Sequence, residues 1–392
     1  MNVNTLGLYI HVPFCASKCD YCDFYSLPGQ SEDTRDKYVS AMLAHMKETA
    51  AFTGKALKNG GAAVDSLYFG GGTPPLLGVK RLRALLLAAK KLWSFSPAAE
   101  VTLEANPESL GFKEMKKLRA LGVNRLSFGV QATQDELLRL LGRRHTGRQA
   151  LSAIEDAFRA GFTNVGADLM YGIPGQTREA LMSSLNAVIA LKARHVSLYC
   201  LKIEENTPLA RQGLAPPPDD ELADLYLAAV EHLRLAGYGQ YEISNFSLPS
   251  YQSRHNLKYW NLGAYIGFGP SAHSDFSGKR YSNVPDLAAY VTGVLEGGEV
   301  VDEIAKISPP ERAGEYIMLG LRTTRGISGN HYSREYKVSF DVIEKRLEAL
   351  EKLGCSERDG ERWRLTPKGF LVSNRILSEL LDTPVSGGTA RF

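Results

Sequence analysis

Between Leu8 and Leu201, short apolar runs alternate with amphipathic stretches, and this alternation narrows the possible folds more than any other feature of the chain. The runs at 8–12, 66–69, 101–105, 125–129, 164–170 and 196–201 predict strands. The stretches at 34–52, 79–92, 113–121, 149–160 and 177–191 carry apolar residues at helical spacing. A strand and helix repeated in this way require parallel strands, because each helix returns the chain across one face of the sheet before the next strand begins. The expected class is α/β, a partial (βα)6 TIM-like barrel over residues 1–205. Its functional residues should cluster at the C-terminal ends of the strands.

After Asn206 the rhythm changes. Pro216, Pro217 and Pro218 break the chain before a helix at 219–235, and a short strand at 240–243 runs into a polar loop, so 206–307 reads as an extension of the barrel. From Ser308 the pattern is helix (310–321), short helix (329–335), helix (340–353), a hairpin turning at Asp359 and Gly360, and a final helix ending at Leu381. This is a winged-helix-like appendage over 308–382. The last ten residues, TPVSGGTARF (383–392), are expected to be disordered. With 46 Lys and Arg against 43 Asp and Glu, the net charge of +3 creates no field that would select nucleic acid or a membrane surface. The appendage lacks basic clustering, so a packing or lid role is expected rather than nucleic-acid binding. No run approaches the roughly 18 apolar residues of a membrane span, and the first five residues are too polar for a secretory signal, so a cytoplasmic protein is expected.

Five cysteines, three of them within eight residues, argue against a disulfide framework and for a metal centre in a reducing compartment. The stretch YIHVPFCASKCDYCDFY, 9–25, places thiols at CxxxCxxC spacing directly after the first strand. Three thiolates can hold three irons of a cubane and leave the fourth open to a chelating ligand, whereas structural zinc takes four protein ligands. A zinc site completed by His11, or three unrelated thiols, is the alternative. Other strand ends carry polar or glycine residues. The second ends in Gly70, Gly71, Gly72, Thr73 and Pro74, where missing β-carbons let a ligand approach the backbone. The third ends at Glu104, the fourth leads into Gln131, and the fifth ends at Asp168. Any one of these could be a helix cap or loop anchor, but their succession points to a shared ligand.

The cysteine loop resembles that of radical S-adenosylmethionine enzymes. The resemblance implies a four-iron four-sulfur cluster on Cys15, Cys19 and Cys22, with Phe14 and Tyr21 packing around cluster and cofactor. It also implies one-electron reductive cleavage of the sulfonium to methionine and a 5′-deoxyadenosyl radical. S-adenosylmethionine would be contacted by Tyr9, Gly71, Gly72, Thr73, Glu104, Gln131, Arg143 and Asp168. Carboxylates and amides would serve its ammonium and ribose hydroxyls, and Arg143 a carboxylate. Arg144 and His145 adjoin Arg143, so that assignment is open by one position, and His145 reads equally as a surface residue or a ligand.

Within that superfamily, YIHVPFC, GGGTP, LEANP from Leu103, SFGVQ from Ser127 and DLMYGIPGQ from Asp168 resemble the oxygen-independent coproporphyrinogen III oxidase group. The group includes true oxidases and haem chaperones of the HemW type. Three departures favour the chaperones. Phe24 stands where the oxidases carry a fourth cysteine, only eight residues precede Tyr9, and HNLKYW from His255 matches the chaperones' HNxxYW pattern. That segment joins an imidazole to two aromatic faces, with Arg254 and Lys258 available for propionates. It could equally be a structural loop. His273, in FGPSAHS beside Gly267 and Gly269, is a rival haem ligand. Cys200 and Cys355 read as small buried residues, although Cys200 could reach the barrel mouth. The expected function is a haem chaperone that binds cluster, S-adenosylmethionine and haem and passes haem to respiratory haem proteins. The resemblance adds a possible homodimer tied to cluster occupancy, and transient membrane contact is left open. An anaerobic oxidase removing two propionate carboxyls is the alternative, and a plain zinc scaffold a remote third. Turnover separates the first two, and the brown colour of an iron-sulfur cluster excludes the third.

Overall fold

The computed structural model describes residues 5–58 and 63–382, so the expected disordered tail at 383–392 lies outside the described residues. The barrel strands are β1 (Thr5–Val12), β2 (Ala63–Gly71), β3 (Phe95–Ala105), β4 (Arg125–Gln131), β5 (Asn164–Tyr171) and β6 (His195–Cys200). Helices α1 (Glu32–Lys58), α2 (Gly78–Leu92), α3 (Phe112–Leu121), α4 (Gly147–Arg159) and α5 (Arg178–Ala190) connect them. Local chemistry sets several helix bounds. A capping box of Thr146 and Gln149 opens α4, the Thr177 hydroxyl accepts from the Ala180 N–H at the start of α5, and Gly122 in the left-handed region (φ 103) ends α3.

Every second residue of these strands faces the helices. Leu6, Leu8, Ile10 and Val12 of β1, Leu126, Phe128 and Val130 of β4, and Val196 and Leu198 of β6 all enter one continuous apolar core. The remaining positions face inward across the open barrel. They include Tyr9 and His11, Ser66 and Tyr68, Glu100, Thr102 and Glu104, Arg125 and Ser127, Asp168, and His195, Ser197 and Tyr199. The interior of this barrel is therefore polar.

Beyond residue 206 come α6 (Asp219–Leu235), β7 (Gly239–Glu242), β8 (Asn245–Ser247), α7 (Arg254–Trp260), β9 (Tyr265–Phe268), β10 (His273–Phe276), β11 (Lys279–Asn283), α8 (Leu287–Glu296) and β12 (Val301–Lys306). One twelve-stranded sheet runs in the order β12-β11-β10-β9-β1-β2-β3-β4-β5-β6-β8-β7. The sequence pattern misses β9. It pairs parallel to β1, with Tyr9 opposite Gly267, and adds a seventh parallel strand on the side where the barrel stays open. Its four residues, YIGF, are too few to display a period.

The appendage comprises α9 (Pro309–Gly320), β13 (Ile327–Ser328), α10 (Gly329–Tyr336), α11 (Asp341–Lys352), β14 (Ser356–Asp359) and β15 (Arg362–Leu365). Two helices follow, α12 (Pro367–Leu371) and α13 (Ser373–Leu381), where a single final helix was expected. Val372 leaves helical geometry (φ −112, ψ 18) and divides them. The wing is the three-stranded sheet β13-β15-β14.

This appendage spans the gap in the barrel. On one side the Arg312 guanidinium of α9 donates to both Asp275 oxygens, at 2.8 and 3.0 Å, and lies 3.0 Å from Glu315; Arg280 joins the same carboxylates. On the other, the Ile243 N–H donates to the Arg322 carbonyl at 2.9 Å and the Thr324 N–H to the Tyr241 carbonyl at 3.1 Å. Arg312 is 7% and Asp275 11% exposed at the side chain, so removing the cation strands buried carboxylates. Arg312→Met should lower the unfolding free energy by about 3 kcal/mol, read as a shifted urea midpoint.

Candidate functional site

The cysteine loop leaves β1 at Pro13 and forms a two-residue strand, Phe14–Cys15, paired with Leu27–Pro28. Cys15, Cys19 and Cys22 are free thiols, all partly exposed. Burial pushes the Cys22 thiol up; the Phe24 N–H donated to its sulfur opposes this, while Cys19 and Cys15 add to it. The three sulfurs therefore share one electrostatic environment. Among the described residues no three His, Cys, Asp or Glu side chains converge closely enough to hold a single ion. His11 is not free to complete a zinc site, since its Nδ1 meets the Tyr9 hydroxyl and its Nε2 the Tyr25 carbonyl, both at 3.1 Å. Thiols spread along one loop fit a cluster in which each binds its own iron better than they fit closed tetrahedral zinc.

A chain of hydrogen bonds ties this loop to the strand ends. The Thr73 hydroxyl donates to Cys15 Sγ at 3.6 Å, Asn106 Nδ2 to Thr73 Oγ1 at 3.1 Å, and Arg143 Nη2 to Asn106 Oδ1 at 2.8 Å. Arg143 Nη1 closes it by donating to Cys19 Sγ at 3.4 Å, and Nη2 also reaches the Gly129 carbonyl at 2.6 Å. Donors aimed at two of the three loop sulfurs suit the thiolate form. Asn106 escaped sequence reasoning, although a polar residue two places beyond Glu104 at a strand end was a usable signal. Gly72 closes the cradle. A β-carbon there would lie 2.6 Å from the Phe14 carbonyl oxygen and 3.0 Å from Cys15 Sγ. Arg144 is exposed and His145 buried, its Nε2 against the Val130 carbonyl at 3.2 Å, so Arg143 is the residue that turns into the site.

Beside the loop the strand ends present carboxylates and an amide. Glu104 accepts from the Tyr68 hydroxyl at 2.6 Å and the Gly71 N–H at 3.2 Å. Burial pushes its carboxyl up to about 7, with the Tyr68 hydrogen bond opposing and Asp168 adding to the rise. Asp168 accepts from the Ser127 hydroxyl at 3.2 Å and is likewise pushed up by burial. Gln131 ends β4 at positive φ (64), with its Oε1 buried and without a partner. An orphaned amide oxygen and two carboxylates above a polar interior fit a ligand that offers an ammonium group and hydroxyls. Tyr9 lies among them, half-buried, its ring 6.1 Å from that of Tyr68. Tyr21 packs partly buried on the apolar cluster of Leu137, Leu138 and Leu141.

Two expectations change. His255 is buried on the floor of the barrel: its Nδ1 meets the Ser66 hydroxyl at 2.9 Å and its Nε2 the Tyr259 hydroxyl at 2.7 Å. Burial pushes this imidazole down to about 3, with Lys258 and Arg125 adding to the effect. Both ring nitrogens are committed, and the HNLKYW segment forms α7, which plugs the N-terminal end of the strands. His273 stands exposed at the start of β10. Cys355 is buried as expected, but Cys200, at the end of β6, is exposed.

The radical S-adenosylmethionine superfamily model matches residues 9–188, and the HemN C-terminal domain model matches 307–372. The chain is 35% identical over 379 residues to the "Heme chaperone HemW" of Bacillus subtilis, covering 95% of this chain and 98% of that one. It is 32% identical to the protein of the same name from Escherichia coli, covering 96% and 98%. The chain belongs to the HemW family of radical S-adenosylmethionine proteins. Its fold also matches the solved "Coproporphyrinogen III oxidase (HemN)" of Escherichia coli, with a TM-score of 0.83 at 23% identity, over 97% of this chain and 90% of that one. At that identity the likeness concerns fold alone. Membership in the superfamily implies a four-iron four-sulfur cluster and S-adenosylmethionine, and the thiol loop and orphaned strand-end groups fit both.

Replacing Cys15, Cys19 or Cys22 with Ala should abolish the cluster in anaerobically reconstituted protein, measured as bound iron and sulfide. A full iron complement in any of these variants would refute that ligand. Gly72→Ala should lower cluster content while the fold, followed by circular dichroism, persists.

Proposed function

We propose that this chain is a haem chaperone: it holds a four-iron four-sulfur cluster on Cys15, Cys19 and Cys22, binds S-adenosylmethionine at the strand ends, and delivers haem to respiratory haem proteins in the cytoplasm. The observation that carries this reading is the near full-length likeness to proteins named haem chaperone. Phe24 supports it. The residue at the oxidases' fourth-cysteine position is an exposed phenyl ring beside the cluster loop and offers no thiol. When bound, the cluster supplies one electron to the sulfonium of S-adenosylmethionine. The chain's own contribution is to orient: Gly71, Gly72 and Thr73 give close backbone approach, Glu104 and Asp168 present negative charge, Gln131 offers an acceptor, and Arg143 and Thr73 hold the ligand sulfurs. Tyr9 walls the site.

For haem, the cargo, an imidazole must offer a free nitrogen at the surface. His273 meets that requirement in this conformation, while His255 would have to leave Ser66 and Tyr259. Among the described residues no helix is long and apolar enough to cross a membrane. Two copies pairing when the cluster is present belongs to the same reading and is checked by the elution volume of protein with and without the cluster.

The deciding experiment incubates reconstituted protein anaerobically with reductant, S-adenosylmethionine and coproporphyrinogen III, then titrates it with haem. Stable haem binding without decarboxylated product is expected; protoporphyrinogen would make the protein an oxidase. In the haem titration His273→Ala should weaken binding more than His255→Ala, and the reverse order would return the ligand role to the HNLKYW segment. S-adenosylmethionine should bind more tightly as pH rises through about 7, because Glu104 must lose its proton to face a cationic ligand. Glu104→Gln should weaken binding and flatten that profile.

A further inference from the structure

Arg125 is the largest fully buried side chain among the described residues, 1% exposed at the start of β4. It points into the barrel in register with Thr102 of β3 and Asn164 of β5, and Thr102 is itself in register with Tyr68. Glu104 and Ser127 form the next register pair above it, and Gly129 and Asp168 the pair above that. Its Nε and Nη1 are buried without a hydrogen-bond partner. A guanidinium stays protonated at any pH at which the protein is folded, and leaving its N–H groups unpaired in the interior is costly. Neither packing nor local hydrogen bonding accounts for it.

The charges around it do. Glu100, Glu104 and Asp168 place three carboxylates in the interior, with Arg125 the cation set among them. Glu100 is occupied elsewhere, accepting the Arg254 and His255 N–H groups at the start of α7, both at 3.2 Å. Lys258, the other nearby cation, pairs with Asp65 at 2.8 Å. The titratable groups that feel Arg125 are Tyr68 from β2, Glu100 and Glu104 from β3, Asp168 from β5, His195 from β6, Tyr241 from β7, and His255 from α7. His195 and His255 are held neutral by burial, which leaves the guanidinium as the permanent positive charge beneath the strand-end carboxylates.

We propose that Arg125 is a positioning residue of the cofactor site: its buried guanidinium is the fixed charge that offsets the burial of Glu104 and Asp168 and favours their ionised form for a cationic ligand. It acts across one and two register layers of low-dielectric interior, where a charge is felt more strongly than in water. This inference rests on S-adenosylmethionine binding at the strand ends, and the wild-type titration tests that premise separately.

The test measures S-adenosylmethionine binding to anaerobically reconstituted protein by calorimetry between pH 6 and 9, with cluster content matched. Arg125→Gln should move the midpoint of the binding profile up by about one pH unit, weakening affinity about fivefold near pH 7 and recovering at pH 9. Arg125→Lys keeps the charge and should leave the midpoint in place. If Arg125→Gln does not fold, the pair Arg125→Gln with Glu100→Gln should show the same upward shift relative to Glu100→Gln alone. A loss of affinity equal at every pH, or an unshifted profile in the charge-removed protein, would overturn the proposal. Wild-type protein that binds no S-adenosylmethionine would instead overturn the cofactor reading on which it rests.

Discussion

Each parallel strand buries its apolar side chains against the helices and leaves the intervening positions to face one another. The core of Leu6, Leu8, Ile10, Leu126, Phe128, Val196 and their neighbours supplies the hydrophobic stabilisation on the outer face of the sheet. The inner face is thereby free to carry Tyr, Ser, Glu, Arg, Asp and His. A barrel filled with branched aliphatic layers would be a packed core with function confined to its rim. Here the polar layers continue beneath the strand ends, and the charge state of the rim depends on what lies under it.

The cysteine loop, by contrast, has little core of its own and is held by hydrogen bonds. The path from Cys15 through Thr73, Asn106 and Arg143 to Cys19 crosses the ends of β2, β3 and β4, so the positions of two of the three loop sulfurs are set by the sheet rather than by the loop. Backbone bonds add to this: the Gly72 N–H donates to the Val12 carbonyl at 2.8 Å and the Thr73 N–H to the Phe14 carbonyl at 2.6 Å. A loop built this way can receive a bulky inorganic group without having to order itself at that moment, which lowers the entropic cost of binding.

The appendage does more than decorate the barrel. Seven parallel strands do not close on themselves, and antiparallel strands flank both sides. The segment from Arg312 to Thr324 reaches both, through the Asp275 and Arg280 network on one side and backbone hydrogen bonds to β7 and its turn on the other. The floor is filled by α7, whose His255 stacks near Tyr68 and Tyr9 at ring separations of 5.2 and 6.2 Å. The HNLKYW segment, open in one dimension to a haem-facing or a structural reading, forms in three the helix that packs beneath the open barrel.

The sequence by itself determined the parallel α/β class, the six strands and their helices, the cysteine loop and the polar strand ends Glu104, Gln131 and Asp168. All of these are local: periodicity, spacing and the residue that follows a strand can be read without knowing what lies across the fold. Tertiary structure decided the rest. The strand β9 is too short to carry a period and exists because β1 offers it an edge. Cys200 is exposed because β6 ends at the barrel mouth, and Arg143, not Arg144, meets Cys19 because of the turn after β4. The commitment of His255 depends on Ser66, 189 residues away in the chain. Arg125 reads as an ordinary charged residue opening a strand. Only the register of neighbouring strands puts it beneath two carboxylates with its N–H groups unpaired, because burial and charge balance are properties of what surrounds a residue, and the surroundings are assembled from the whole chain.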